Sequence, residues 1–251
     1  MKKIELNLLN SKLLIDFIVK FRVLDKNILL EINDDKLIAK TFKDELNIMK
    51  YGTIEFDDIF AYSKQNNKID KTIKLWIYNI DKFKAALLAV GDCKFIISYD
   101  ETDMSAAQIE LKTKNIKKII KVLNNLEFNE IEDNKIENLF DVKNCFVNIY
   151  LDKEFLFKLK QLTDLEVESS FIISTEDSKI TFIGSEFELN FDGEFKILNN
   201  EIKKFIINRS IFKFIDNEDY NIYLKENAIL FFDNNNFKLA SGLLESQDDF
   251  E

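Results

Sequence analysis

One order of elements, a strand, a short amphipathic helix and then further strands, recurs four times along these 251 residues. A chain built this way cannot bury any one unit's apolar face alone, so the units must pair. The second copy is the clearest. Lys74–Tyr78 alternates as a strand, Asn79 can cap a helix, and Ile80, Phe83, Leu87 and Val90 recur at helical spacing before Gly91-Asp92. Strands are then expected at Lys94–Tyr99 and Gln108–Lys112.

The first copy runs from strand Ile4–Leu8 through a cap at Asn10 or Ser11 and a stripe of Leu14, Phe17, Ile18 and Phe21, with strands at Ile28–Ile32, Leu37–Phe42 and Thr53–Phe56. The third places strand Phe146–Tyr150 before Asp152 and a helix carrying Phe155, Leu156, Leu159 and Leu162, with strands at Ser170–Ser174, Lys179–Ile183 and Phe187–Phe191. The fourth has Lys204–Ile207, a cap at Asn208, a short helix with Ile211, Phe212 and Ile215, and strands at Tyr220–Leu224, Ala228–Phe232 and Phe237–Ala240. The expected fold class is α+β, with one domain over 1–115 and another over 143–245. Residues 116–142 read as a polar connector between them and 246–251 as an acidic tail.

Composition removes several functions. Histidine is absent, which excludes Ser–His and Cys–His catalysis and His-ligated metals. Proline is absent too, and the five glycines are scattered, so no glycine-rich phosphate loop exists. Cys93 and Cys145 stand alone and read as two thiols in a reducing compartment. The carboxylate pairs Asp34-Asp35, Asp57-Asp58 and Asp248-Asp249 could in principle ligate Mg²⁺ for a hydrolase. Adjacent residues on a strand point to opposite faces, however, and such pairs are ordinary in turns. No catalytic residue, metal or cofactor is expected. The N-terminus lacks the apolar block of a signal peptide and no stretch suits a membrane span, so a cytoplasmic protein without membrane contact is expected.

The stretch Ile73–Leu88 resembles the strand-then-helix segment of the DNA polymerase sliding clamps, the family of proliferating cell nuclear antigen and the T4-type phage clamps. Cys93–Tyr99 and Ala107–Leu111 fit the strands that follow, and Phe237–Glu245 is similar to the family's last strand and acidic end. The resemblance implies two domains per chain, outer sheets, helices lining a hole, and a homotrimeric ring. It implies a non-enzymatic processivity factor that encircles double-stranded DNA without reading sequence. Polymerase and clamp loader would be bound through short peptides. It places the peptide pocket at Leu126, Phe128, Ile131, Leu239, Ala240, Leu243 and Leu244. It also implies an antiparallel contact between copies, Ala107–Thr113 against Glu186–Asp192, with Ala107, Ile109, Leu111, Phe187, Leu189 and Phe191 at the interface.

The hole-facing helices should be basic although the chain carries a net charge of −10. The expected DNA-facing set is Lys12, Lys20, Arg22, Lys82, Lys84, Lys153, Lys158, Lys160, Arg209 and Lys213. These ten stand against five acidic residues on the same segments, whereas the whole chain has 35 basic and 45 acidic residues. The bias has the sign that phosphate attraction requires. Two rivals remain: a monomeric factor of the herpesvirus type, binding DNA by one strongly basic face, and the carboxylate-metal hydrolase.

Overall fold

In a computed structural model, residues 1–63, 69–122, 133–233 and 237–243 are described. They form two compact units, Met1–Lys43 with Lys50–Glu130, and Asp44–Met49 with Ile131–Glu251. In the first, β1 (Lys2–Leu8) leads to α1 (Ser11–Val19), then β2 (Ile28–Ile32), β3 (Lys36–Lys43) and β4 (Ile48–Glu55), of which Lys50–Glu55 belong to this unit. One helical turn, α2 (Phe56–Ile59), and β5 (Phe60–Tyr62) complete that half. The next half is β6 (Ile73–Ile77), α3 (Ile80–Val90), β7 (Cys93–Tyr99), β8 (Ala106–Lys112) and β9 (Lys117–Lys121). The second unit holds α4 (Asp133–Phe140), β10 (Val147–Leu151), α5 (Lys153–Leu165), β11 (Ser170–Ser174), β12 (Ile180–Ile183), β13 (Glu188–Phe191) and β14 (Phe195–Ile197). It continues with β15 (Lys204–Asn208), a 3-10 helix at Arg209–Lys213, β16 (Tyr220–Leu224), β17 (Ala228–Asp233) and β18 (Phe237–Gly242).

The duplication is visible in strand order. The first unit orders its strands β5-β1-β7-β8-β9 and β4-β3-β2-β6; the second orders them β14-β10-β16-β17-β18 and β13-β12-β11-β15. Each strand has a counterpart at the same place. The capping contacts repeat as well. The first N–H of α1, from Ser11, donates to Asp92 Oδ1 at 2.8 Å, and that of α5, from Lys153, donates to Asp219 Oδ1 at 2.8 Å. Asp92 sits between α3 and β7, and Asp219 between the 3-10 helix and β16. Likewise Ile80 N–H donates to Lys26 O at 2.8 Å and Arg209 N–H to Ser169 O at 2.9 Å. These bonds satisfy helix N–H groups that have no partner within the helix.

The helices start where the sequence says. Asn10, Asn79, Asp152 and Asn208 each accept from a backbone N–H of the first turn. α3 ends at Gly91, whose φ of 70° favours a residue without Cβ. The stripe Leu14, Phe17, Ile18 and Phe21 is buried, as are Phe83 and Leu87 of α3 and Leu156 and Leu159 of α5. In the second unit Phe155, Phe182 and Phe191 form an aromatic cluster with centroids 4.8 to 6.3 Å apart.

Three expectations are corrected. The residues read as the connector's basic start, Lys117–Lys121, form β9, paired along its length with β8. Further on, α4 buries Ile136 and Phe140, and Lys225 Nζ donates to Asn138 O near its end at 3.2 Å and to Asp141 O just beyond it at 2.9 Å. The strand expected at Thr53–Phe56 begins earlier, at Ile48, and Phe56 already opens α2. Neither cysteine forms a disulfide. No helix among the described residues is long and apolar enough to cross a membrane.

Candidate nucleic-acid interface and subunit edges

Two of the helices that bear the basic residues, α1 and α3, pack together in the first unit. Lys12, Arg22, Lys82, Lys153, Lys158 and Lys213 are exposed, while Lys20 and Lys84 are half-buried. Arg22 Nε also pairs with Asp81 Oδ1 at 2.6 Å, tying the end of α1 to the start of α3.

The other two expected cations are engaged in the fold. Arg209 Nη1 donates to Thr163 O at 3.1 Å and to Glu166 O, so the guanidinium binds the carbonyls that end α5. Lys160 Nζ donates to Ile215 O at 2.7 Å and to Asn217 Oδ1 at 2.9 Å. Burial pushes the Lys160 ammonium below its ordinary value. The first unit uses the same device at α1, where buried Lys50 Nζ donates to Lys20 O at 2.7 Å. A cation at a helix C-terminus satisfies orphan carbonyls and meets the negative end of the helix dipole. Charge counting along a helix cannot separate such a lysine from a solvated one, because the distinction is made by a partner distant in sequence.

Glu166, buried just past α5, accepts from Ser185 N–H at 2.7 Å, from the Ser185 hydroxyl and from Glu186 N–H at 3.1 Å. Those bonds, the Ser185 hydroxyl's foremost, hold its carboxyl below the ordinary carboxylate range. The clasp fixes the β12–β13 turn on the end of α5. Gly184 permits it, since a Cβ there would lie 2.7 Å from Glu166 Cδ. Sequence reading missed Glu166; a lone acid after a helix carries no signal of its own.

The expected edge strand of the first unit is not an edge. β8 pairs with β7 on one side and with β9 on the other, and Ile109 and Leu111 are fully buried, so Ala107, Ile109 and Leu111 lie inside the sheet. The edge is β9, with Ile119 47% exposed. In the second unit β13 is the edge of its sheet, where the expected Glu186–Asp192 contact falls. Phe187 and Leu189 are half-buried there and Phe191 is buried. Beside β9 lies an apolar groove of about 820 Å³, lined by Phe83, Ala86, Ala89 and Val90 of α3 and by Ile116 and Ile119.

Of the expected peptide pocket, Leu126, Phe128, Ile131 and Leu244 lie outside the described residues. Leu239 and Ala240 are buried in β18 and Leu243 is half-buried. Among the described residues no three His, Cys, Asp or Glu side chains converge as a metal site. Asp34 is engaged otherwise, accepting from the Tyr62 hydroxyl and from Ile69 N–H. Desolvation, with that carboxylate beside it, pushes the Tyr62 phenol up to about 12.

No protein-family model and no curated protein matches the chain. Solved structures do. A DNA polymerase III subunit beta from Borrelia burgdorferi superposes with a TM-score of 0.66 at 15% identity over 96% of this chain. The Helicobacter pylori beta clamp gives 0.68 at 14% identity over 99%. The Entamoeba histolytica proliferating cellular nuclear antigen gives 0.65 at 12% identity over 96%. The chain has the sliding-clamp fold. It spans 65% of each of those two bacterial subunits but 99% of the Entamoeba antigen. Its two-unit, twice-duplicated sheet order therefore corresponds to the whole of the Entamoeba protein and to a part of the longer bacterial chains.

Proposed function

We propose that this chain is a DNA polymerase processivity factor: a non-enzymatic sliding clamp, three copies of which close as a ring around duplex DNA and tether the polymerase and other replication proteins. The observation that carries the reading is the pairing of a clamp fold with exposed cations on α1, α3 and α5 of an otherwise acidic chain. Lys12, Lys82, Lys153 and Lys158 contact phosphates through long flexible side chains, with Lys20, Lys84, Arg22 and Lys213 at the margins. Such contacts attract without reading bases and oppose sliding little. The remaining acidic surface keeps DNA from the outside of the ring.

Homotrimeric assembly joins β9 of one copy to β13 of the next, which also removes two exposed strand edges. The domains follow the two compact units, and Leu126, Phe128, Ile131, Leu239, Ala240, Leu243 and Leu244 bind the polymerase and loader peptides. The protein works in the cytoplasm with the replicating DNA. Light scattering at micromolar concentration and low salt tests the assembly: three times the 29.6 kDa chain mass is expected. A monomer at every concentration and salt would overturn the ring and leave a one-faced DNA-binding protein.

A further inference from the structure

We infer that ring closure in this chain is charge-coded at particular positions: Lys117 and Lys121 of β9 select Asp192 and Glu188 at the β13 edge of the next copy, so that closure is controlled by ionic strength. The inference rests on the ring reading above and adds what selects the partner edge.

The two edges carry opposite charge in the same rhythm. In β9, Lys117, Ile119 and Lys121 share one face and Lys118 and Ile120 the other, as the pairing of Ile120 with buried Ile109 and of Lys118 with buried Leu111 fixes. In and around β13, Glu186, Glu188, Asn190 and Asp192 share one face, and Leu189 and Phe191 face the core side opposite Phe182 and Ile180. Lys117, Lys118, Lys121, Glu186, Glu188 and Asp192 are all exposed. An antiparallel register that sets Ile120 opposite Leu189 necessarily sets Lys121 opposite Glu188, Ile119 opposite Asn190 and Lys117 opposite Asp192. It also carries the half-buried Phe187 and Leu189 to the groove between α3 and β9, whose apolar wall they would cover.

The same rhythm disfavours the two-fold pairings centred on each strand. Two β9 strands pairing antiparallel about Ile119 set Lys117 against Lys121. Two β13 strands pairing about Asn190 set Glu188 against Asp192. Like charges directly opposite destabilise a strand pair, so both two-fold dimers are disfavoured. The far edges of the same two sheets, β5 (Phe-Ala-Tyr) and β15 (Lys-Phe-Ile-Ile-Asn), carry no such runs. The favoured contact is therefore heterologous and repeats until it closes. Because these side chains are exposed, their attraction is screened by salt and steers association.

The test is light scattering across protein concentration on wild type, Lys121→Glu, Glu188→Lys and the double variant. Thermal melts confirm that each chain is folded. Wild-type assembly is expected to weaken at least about tenfold between roughly 0.05 and 0.5 M salt. Each single reversal should weaken it about ten- to a hundredfold, and the double variant should return to within about threefold of wild type. Wild type that assembles while the single reversals match it, or a double variant no better than the singles, overturns the charge code and leaves the ring standing. A wild type monomeric under all conditions overturns the ring reading and the code with it.

Discussion

The helix that follows β6 in the first unit and β15 in the second occupies the same place in the strand order, yet the two differ. In the first unit it is α3, eleven residues long, capped at Asn79 and ended by Gly91. In the second it is a 3-10 helix of five residues, Arg209–Lys213. The long helix stands beside β9, leaves an apolar groove and presents Lys82 to solvent. The short one is bound to α5 from both sides, through Arg209 to the α5 carbonyls and through Lys160 to Ile215 O. Duplication thus conserves position without conserving job. Lys82 on the α3 side remains exposed to solvent, whereas two of the cations around the short helix hold it in place.

That difference can be broken experimentally. The largest expected effect is on packing: Phe182→Ala opens the aromatic cluster under α5 and should cost about 3–5 kcal/mol by chemical denaturation. Arg209→Ala leaves the α5 carbonyls without their donor and should cost about 1–3 kcal/mol, against no measurable loss for exposed Lys158→Ala. If both substitutions leave stability unchanged and weaken DNA binding equally, the structural role assigned to Arg209 is wrong. Asn79→Ala should cost about 1 kcal/mol through loss of the α3 cap, and Asn208→Ala less, because it caps a shorter helix.

Smaller still is the pH effect of the Glu166 clasp. Its carboxyl lies below the ordinary range when folded, so its stabilisation is complete above that range and is lost as pH falls through the lowered value. Hydrogen exchange should show β12–β13 amides losing protection at acid pH before β8–β9 amides, and Glu166→Gln should abolish that difference. Removing Lys12, Lys82 and Lys158 together should leave melting unchanged while reducing the salt slope of DNA binding by about 0.9 per lost phosphate contact.

Periodicity in the sequence was enough to place the helices and most strands, because apolar spacing and Asn or Asp caps are local signals. Asn79, Asp152 and Asn208 cap as their positions suggested. β9 was hidden because Lys-Lys-Ile-Ile-Lys has no alternating pattern; an edge strand with exposed charges has little apolar requirement to display. The basic bias of the helices was legible as a sum. Its division into solvent-facing and carbonyl-binding cations was not, since Arg209 and Lys160 meet partners 43 and 55 residues away.

The claim that the chain holds DNA by topology is tested most directly by retention on circular against linear duplex after loading. The account predicts protein that stays on a closed circle through a high-salt wash and is lost once a single cut linearises it. Equal loss from both would contradict it.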